Sequence, residues 1–319
     1  MAGEISFANF AINQNQYLMA KLKSNHVKQN KQGSGMIGKV GIFGAIVAGL
    51  YFLFNFFTGS DIQYETEDTP SVYAGEEHFL PSDVRGSEVY IYQNYALSYN
   101  NNFEQADWVA YVLEKENLVK PWNDRNDNFR ADPDIEGGSA TKNDYRGSGY
   151  DRGHLVPAAD MAWDVKAMDE TFLLSNISPQ ARNFNQGIWR ELEELTRSWA
   201  KKFKRLYVVT GPVLAQEPKG YIGKANKIAV PAAYYKVLLD LDDPEKKGIA
   251  FVLPNEVSYD PLYKFATSID EVEELTHIDF FEDFMPNDLE KELEGNFNID
   301  LWPFSKKKHD IRIEKWNKQ

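Results

Sequence analysis

The longest apolar run in the chain is "VGIFGAIVAGLYFLFNFF", Val40–Phe57, with no charge and one amide, Asn55. As a helix it would span about 27 Å at 1.5 Å per residue, close to the hydrocarbon thickness of a bilayer. It is apolar on every face and has no helical stripe, which predicts a transmembrane anchor rather than a core helix. Lysines precede it, and Asp61, Glu65, Glu67 and Asp68 follow it. That asymmetry predicts a cytoplasmic N-terminus and a C-terminal part beyond the membrane. The expected location is the bacterial inner membrane facing the periplasm, with the mitochondrial inner membrane as the alternative.

The pattern changes after about Phe79. Alternating aromatic and polar residues in "EVYIYQNYALSYN" (88–100) predict strands. In "NFEQADWVAYVLEKEN" (102–117), Ala106, Val109, Ala110 and Leu113 recur at helical spacing and predict a helix. A polar, loop-like stretch follows over 123–149. "TFLLSNISP" (171–179) reads as a short strand. From near Asn185, "NQGIWRELEELTRSWAKKF" places Ile188, Trp189, Leu192, Leu195, Trp199 and Phe203 on one helical face. "RLYVVTGPVL", "KIAVPAAYYKVLLDL" and "GIAFVLPN" predict further strands, the first and third central because they are nearly all apolar. The expected class is α+β, a mixed, largely antiparallel sheet with helices, plus one N-terminal transmembrane helix. The expected divisions are a polar basic tail (1–35), the anchor (36–57), an acidic linker (58–78), a globular domain (79–304) and a basic C-terminal tail (305–319).

Composition narrows the chemistry. The 319 residues include no cysteine, so disulfides, thiolate metal sites and a cysteine nucleophile are excluded. The net charge is −13, although the first 60 residues hold five lysines against Glu4. An acidic body argues against a protein that merely coats nucleic acid, but not against a local basic cleft.

The candidate chemistry sits in "YDRGHLVPAADM" (150–161). His154 is the only histidine between His78 and His277, so a zinc cluster is not expected. No G-x-S-x-G elbow, P-loop or dinucleotide fingerprint is present. A lone imidazole beside Asp151 and Arg152 suits proton removal from water, and arginine suits phosphate. Downstream amides and carboxylates could hold Mg²⁺. On residue chemistry alone two alternatives stay open. Asp151 and Arg152 could pair at the surface with His154 packed beneath the sheet, and Asn185 could be a helix N-cap.

"DRGHLVPAADM", then "SNISPQ", "FNQGIW" and the Leu192-Glu193 pair, resemble in order and spacing the non-specific DNA/RNA endonucleases of the ββα-metal (His-Me finger) type, the family of endonuclease G and Serratia nuclease. "VVTGP" and "AVPAAYYKVLLD" extend the likeness, which runs from about Phe79 to Phe304. The resemblance implies a ββα-metal nuclease domain with His154 as general base and Asn185 as the direct Mg²⁺ ligand, Mn²⁺ being a substitute. It implies that Glu193 holds metal-bound water, and that Asp151 stands near those waters. It further implies that Asn176 supports the base and the phosphate, that Arg152 contacts phosphate, and that Arg125 or Arg130 adds a second phosphate contact. The implied activity is membrane-anchored, Mg-dependent cleavage of DNA and RNA with little sequence preference, leaving 5′-phosphate and 3′-hydroxyl ends. DNA, RNA and the membrane are the expected partners, and a homodimer and a protein inhibitor stand as further ones. The rival readings are an inactive nucleic-acid-binding module and a nuclease toxin with an immunity partner.

Overall fold

The computed structural model describes residues 79–82, 87–282 and 284–318. In chain order the strands are β1 (Glu88–Ile91), β2 (Ala96–Asn100), β3 (Gln105–Glu114), β4 (Tyr150–His154), β5 (Ile177–Ala181), β6 (Arg205–Pro212), β7 (Gly220–Ile222), β8 (Ile228–Val230), β9 (Ala233–Asp240), β10 (Lys247–Pro254) and β11 (Ala266–Thr267). The helices are α1 (Lys115–Leu118), α2 (Lys142–Tyr145), α3 (Val165–Glu170), α4 (Arg190–Phe203), α5 (Ile269–Thr276), α6 (Asn287–Gly295) and α7 (Lys306–Glu314).

Seven strands form one sheet in the order β1-β2-β3-β6-β9-β10-β11, and every neighbouring pair is antiparallel. Side chains alternate between its two faces, as the pleat requires. On β9, Tyr234 and Leu238 join one core, and Tyr235, Val237 and Leu239 the other. The first core takes Phe172, Phe184, Trp189, Leu192 and Trp199, so α4 and the β4–β5 hairpin cover that face. The second takes Ile269, Val272, Phe280 and Leu293, so α5 and α6 cover the opposite face.

The fold is thus mixed α+β around an antiparallel sheet, but three expectations change. The segment expected as a helix over 102–117 is mainly strand β3, buried at every position from Gln105 to Tyr111. A strand covered on both faces loses its period-two alternation, and Ala106, Val109, Ala110 and Leu113 then mimic a helical stripe. β6 is central as expected, whereas β10 lies next to the edge, with only the two-residue β11 beyond it. The third correction concerns the membrane. Among the described residues no helix is long and apolar enough to cross one. Val40–Phe57 lies outside the described residues. The transmembrane helix, the membrane partner and the envelope localisation therefore drop out of the assignment.

The segment expected as a basic C-terminal tail contains α7, which docks on α4. Arg312 is fully buried, and its Nε donates to Glu191 Oε2 at 2.6 Å. Its other nitrogens donate to the carbonyl oxygens of Ser258 and Asp260. A fully desolvated ion pair is costly to break from one side, because the remaining charge has no solvent. Arg312→Ala should therefore cost about 3–5 kcal/mol of unfolding free energy in urea titration. Replacing Arg312 and Glu191 together with Met and Leu should recover most of that loss. A single-variant loss below about 1 kcal/mol would show that the pair does not anchor α7.

Candidate active site

The site is built on the β4–β5 hairpin and the helix after it. The hairpin pairs Asp151 with Gln180, Arg152 with Pro179, Gly153 with Ser178 and His154 with Ile177. Gly153 is required there, because a Cβ at that position would stand 2.1 Å from the Gln180 side chain. After β5 the chain makes a π turn, Phe184–Trp189, before α4 begins. Gly187 breaks the helical path inside that turn (φ −106°, ψ −110°), and a Cβ on it would meet Asn317 Oδ1 at 2.7 Å. The interruption places Asn185 and Gln186 on a turn of their own, facing β4.

His154 ends β4 and is 8% exposed. Its ring lies 5.0 Å from Phe172, edge to face, and 5.4 Å from Phe129. Two guanidinium groups cover those rings: Arg152 over Phe129 at 4.2 Å and Arg125 over Phe172 at 5.0 Å. Burial, then the charges of Arg125 and Arg152, push the imidazole pKa down to about 3. The ring is therefore neutral at neutral pH, the state that can accept a proton. Its Nε2 has no hydrogen-bond partner among the described residues.

Asn176 is fully buried and committed to backbone. Its Oδ1 accepts from Val156 N at 2.9 Å, and its Nδ2 donates to the carbonyl oxygens of Val156 and Thr171. It pins the chain just after His154 and has no donor left for a phosphate. Asp151 Oδ2 accepts from Asn185 Nδ2 and from Gln186 Nε2, both at 3.1 Å. Asp151 therefore does not pair with Arg152, and Asn185 lies within the turn rather than capping it. The bond to Asp151 uses the Asn185 nitrogen and leaves the amide oxygen.

Glu193 projects from α4 and is half-buried. Burial raises its carboxyl to about 7; Arg197, Lys236 and Arg125 pull it down, and Asp160 pushes it up. Arg125 thus acts on both His154 and Glu193. Beneath them lies a buried charge network that sequence reasoning missed. Arg197 bonds Asp160 at 2.6 Å, and Tyr111 donates to the same carboxylate at 2.8 Å. Lys236, on β9, is fully buried, with its Nζ 5.2 Å from the Trp189 ring centroid and no hydrogen-bond partner among the described residues. Burial lowers its pKa to about 8, against the pull of Asp160 and Glu193. A lysine inside the apolar run "AYYKVLLD" was the available signal, since buried lysines are rare without a partner charge.

The two candidate arginines part company. Arg125 reaches the Phe172 ring beside His154 and bonds Asp127 at 2.6 Å. Arg130 turns to Asp169, with 2.8 Å to its carboxylate and 3.0 Å to its carbonyl oxygen. Beside β4 an open cleft is lined by Lys142, Tyr145, Arg146, Tyr150, Asp151 and Arg152, a local basic patch on an acidic protein.

A hairpin and helix that gather one neutral histidine, an asparagine, carboxylates and arginines define a finger-type metal-dependent nuclease centre. The chain belongs to the DNA/RNA non-specific endonuclease family, whose model matches residues 80–286. It is 36% identical over 207 residues to a nuclease of Nostoc sp., covering 60% of this chain and 73% of that protein. It is 38% identical over 194 residues to human mitochondrial endonuclease G, covering 57% of this chain and 65% of that protein. Among solved structures, a chain of the EndoG/EndoGI complex, described as showing the mechanism of EndoG inhibition, superposes with a TM-score of 0.57 at 32% identity. That likeness covers 63% of this chain and 88% of the other. The chain is a metal-dependent endonuclease of this family, with Mg²⁺ as its cofactor.

Proposed function

We propose that this endonuclease hydrolyses phosphodiester bonds in DNA and RNA without sequence preference, with His154 as general base and Asn185 as the protein's direct metal ligand. The observation that carries this reading is the neutral, buried imidazole at the end of β4, with Arg125 and Arg152 stacked over the two phenylalanines that enclose it.

The donor set fits Mg²⁺. It offers an amide oxygen and carboxylates, with no thiolate and no second imidazole among these residues. Asn185 would hold the ion, with Asp151 and Glu193 near it. Bound there, Mg²⁺ would act as a Lewis acid on the phosphate and offset charge on the leaving oxygen. The protein supplies the rest. His154, neutral at neutral pH, takes a proton from the attacking water. Arg152 and Arg125 pair with phosphate oxygens as negative charge grows in the transition state. Asn176 holds the backbone that orients His154. Attack on phosphorus breaks its bond to the 3′ oxygen, which takes a proton from solvent, leaving 5′-phosphate and 3′-hydroxyl ends. Contacts aimed at phosphate explain indifference to sequence.

The direct test is digestion of supercoiled plasmid and of RNA with Mg²⁺, with and without EDTA. Mg-dependent, EDTA-sensitive loss of both substrates is expected. An intact plasmid bound in a gel shift would instead support an inactive binding module. Arginine variants test the geometry. Arg125→Ala should slow cleavage about 10-fold to 100-fold, the effect of one charge-assisted hydrogen bond. Arg130→Ala should stay within about twofold of the parent. The reverse order would place the phosphate on the Asp169 side.

A further inference from the structure

The stretch "SIDEVEELTHIDFFEDFMPNDLEKELEG" (268–295) is dense in carboxylates and contributes nothing to the site around His154. Its helices, α5 and α6, cover the opposite face of the sheet and bury Ile269, Val272 and Leu293 there. Asp270 and Glu273 stand three residues apart on α5, so they share one side of that helix. Glu294 comes to them from α6. One carboxylate oxygen from each of the three lies within 4.8 Å of the others. Gly295 permits this approach, because a Cβ on it would stand 3.3 Å from Asp270 Oδ2.

Glu294 is the informative member. It is 4% exposed, and its Oε1 has no hydrogen-bond partner among the described residues. Glu273 Oε1 accepts from Phe280 N at 2.9 Å, which fixes that carboxylate beside it. Asp270 is exposed and gives access from solvent. No lysine or arginine pairs with any of the three among the described residues. Burial, followed by the neighbouring carboxylates, pushes Glu294 up to about 9; burial, against the Phe280 bond, takes Glu273 to about 7. Convergent buried carboxylates of this kind are costly unless protons or a cation compensate them.

We propose that Asp270, Glu273 and Glu294 bind one Ca²⁺ ion, at a structural site separate from the Mg²⁺ of the nuclease centre, and that the ion clamps α5 to α6. The ligands are all hard oxygens, which suits calcium and disfavours zinc. Magnesium usually keeps several waters and takes only one or two carboxylates, whereas three converging carboxylates suit the larger, more flexible shell of calcium. Calcium also tolerates an irregular shell completed by water.

The test uses the full chain stripped with EDTA, with Ca²⁺ alone as the probe. Calorimetric titration and thermal melting are run on the parent, Glu294→Gln, Asp270→Asn and Asn185→Ala. Calcium at about 100 times its Kd should raise the parent's melting temperature by about 5 °C or more. Asn185→Ala should show the same shift, since its lesion lies across the sheet. Glu294→Gln should lose the shift and, without calcium, melt at or above the parent, because one buried like charge is gone. Asp270→Asn, at an exposed position, should fold and weaken calcium binding at least about tenfold, which keeps the test open if Glu294→Gln misfolds. A parent indifferent to calcium would overturn the site in favour of carboxyls that share protons. So would a shift retained in both acid variants, or one lost in Asn185→Ala. Equal stabilisation by Mg²⁺ through Glu294 would overturn the assignment to calcium.

Discussion

His154→Ala should lower the rate of phosphodiester cleavage by about 10²–10⁴-fold, the usual contribution of a positioned general base. The protein should still fold and still bind Mg²⁺, because Asn185, Asp151 and their hydrogen bond stay in place. The pH behaviour gives a second readout. Burial and the two arginines hold the His154 pKa at about 3, well below 6.5 for free imidazole. The base is therefore already unprotonated at pH 7 and remains so through pH 5. NMR of the metal-free protein should show the His154 ring in its neutral form across that range. The sign of the linkage follows. The unfolded chain takes up a proton below about 6.5 that the folded chain refuses. Stability tied to His154 is thus complete above pH 6.5 and is lost as pH falls toward 3. A His154→Ala protein with near-parental activity would falsify the assignment of the base.

Asn185→Ala should damage both binding and rate. It removes the amide oxygen and also the 3.1 Å bond that orients Asp151. Loss of an outer partner of a metal ligand alone costs about 10–100-fold in affinity, so loss of the ligand itself should reach at least that range. Raising Mg²⁺ should restore part of the rate in Asn185→Ala and none in His154→Ala. The double variant should be little worse than the weaker single one, since both residues serve one step. Cleavage rate against Mg²⁺ concentration for the four proteins, with circular dichroism for folding, decides this. Unchanged Mg²⁺ affinity in Asn185→Ala would move the metal to other ligands.

The legible parts of the sequence were those whose meaning is local. "DRGH", "SNISPQ" and "FNQGIW" each lie on one short element, and the hairpin and turn they form set Asn185 against Asp151, on the strand that ends at His154. The alternating pattern of 88–100 and the apolar runs after residue 205 became strands for the same reason. What failed depended on partners distant in sequence. β3 could be read as a helix because neighbours on both faces erased its alternation. Arg125 and Arg130 are equivalent in sequence, and only Phe172 and Asp169 separate them. Lys236 matters because Asp160 and Glu193 approach it from other elements. The residues after 304 look like a solvated basic tail until Glu191 is seen to face Arg312.

That last contact has a consequence in the order of synthesis. Asn317 lies against Gly187, in the turn that carries Asn185, and Arg312 neutralises Glu191 in the helix that follows. Both braces are synthesised more than a hundred residues after the groups they support. A nascent chain that already carries His154 and Asn185 still has an uncompensated buried acid and an unsupported turn. The nuclease centre is therefore completed only once synthesis has run through Asn317, well after His154 and Asn185 are made.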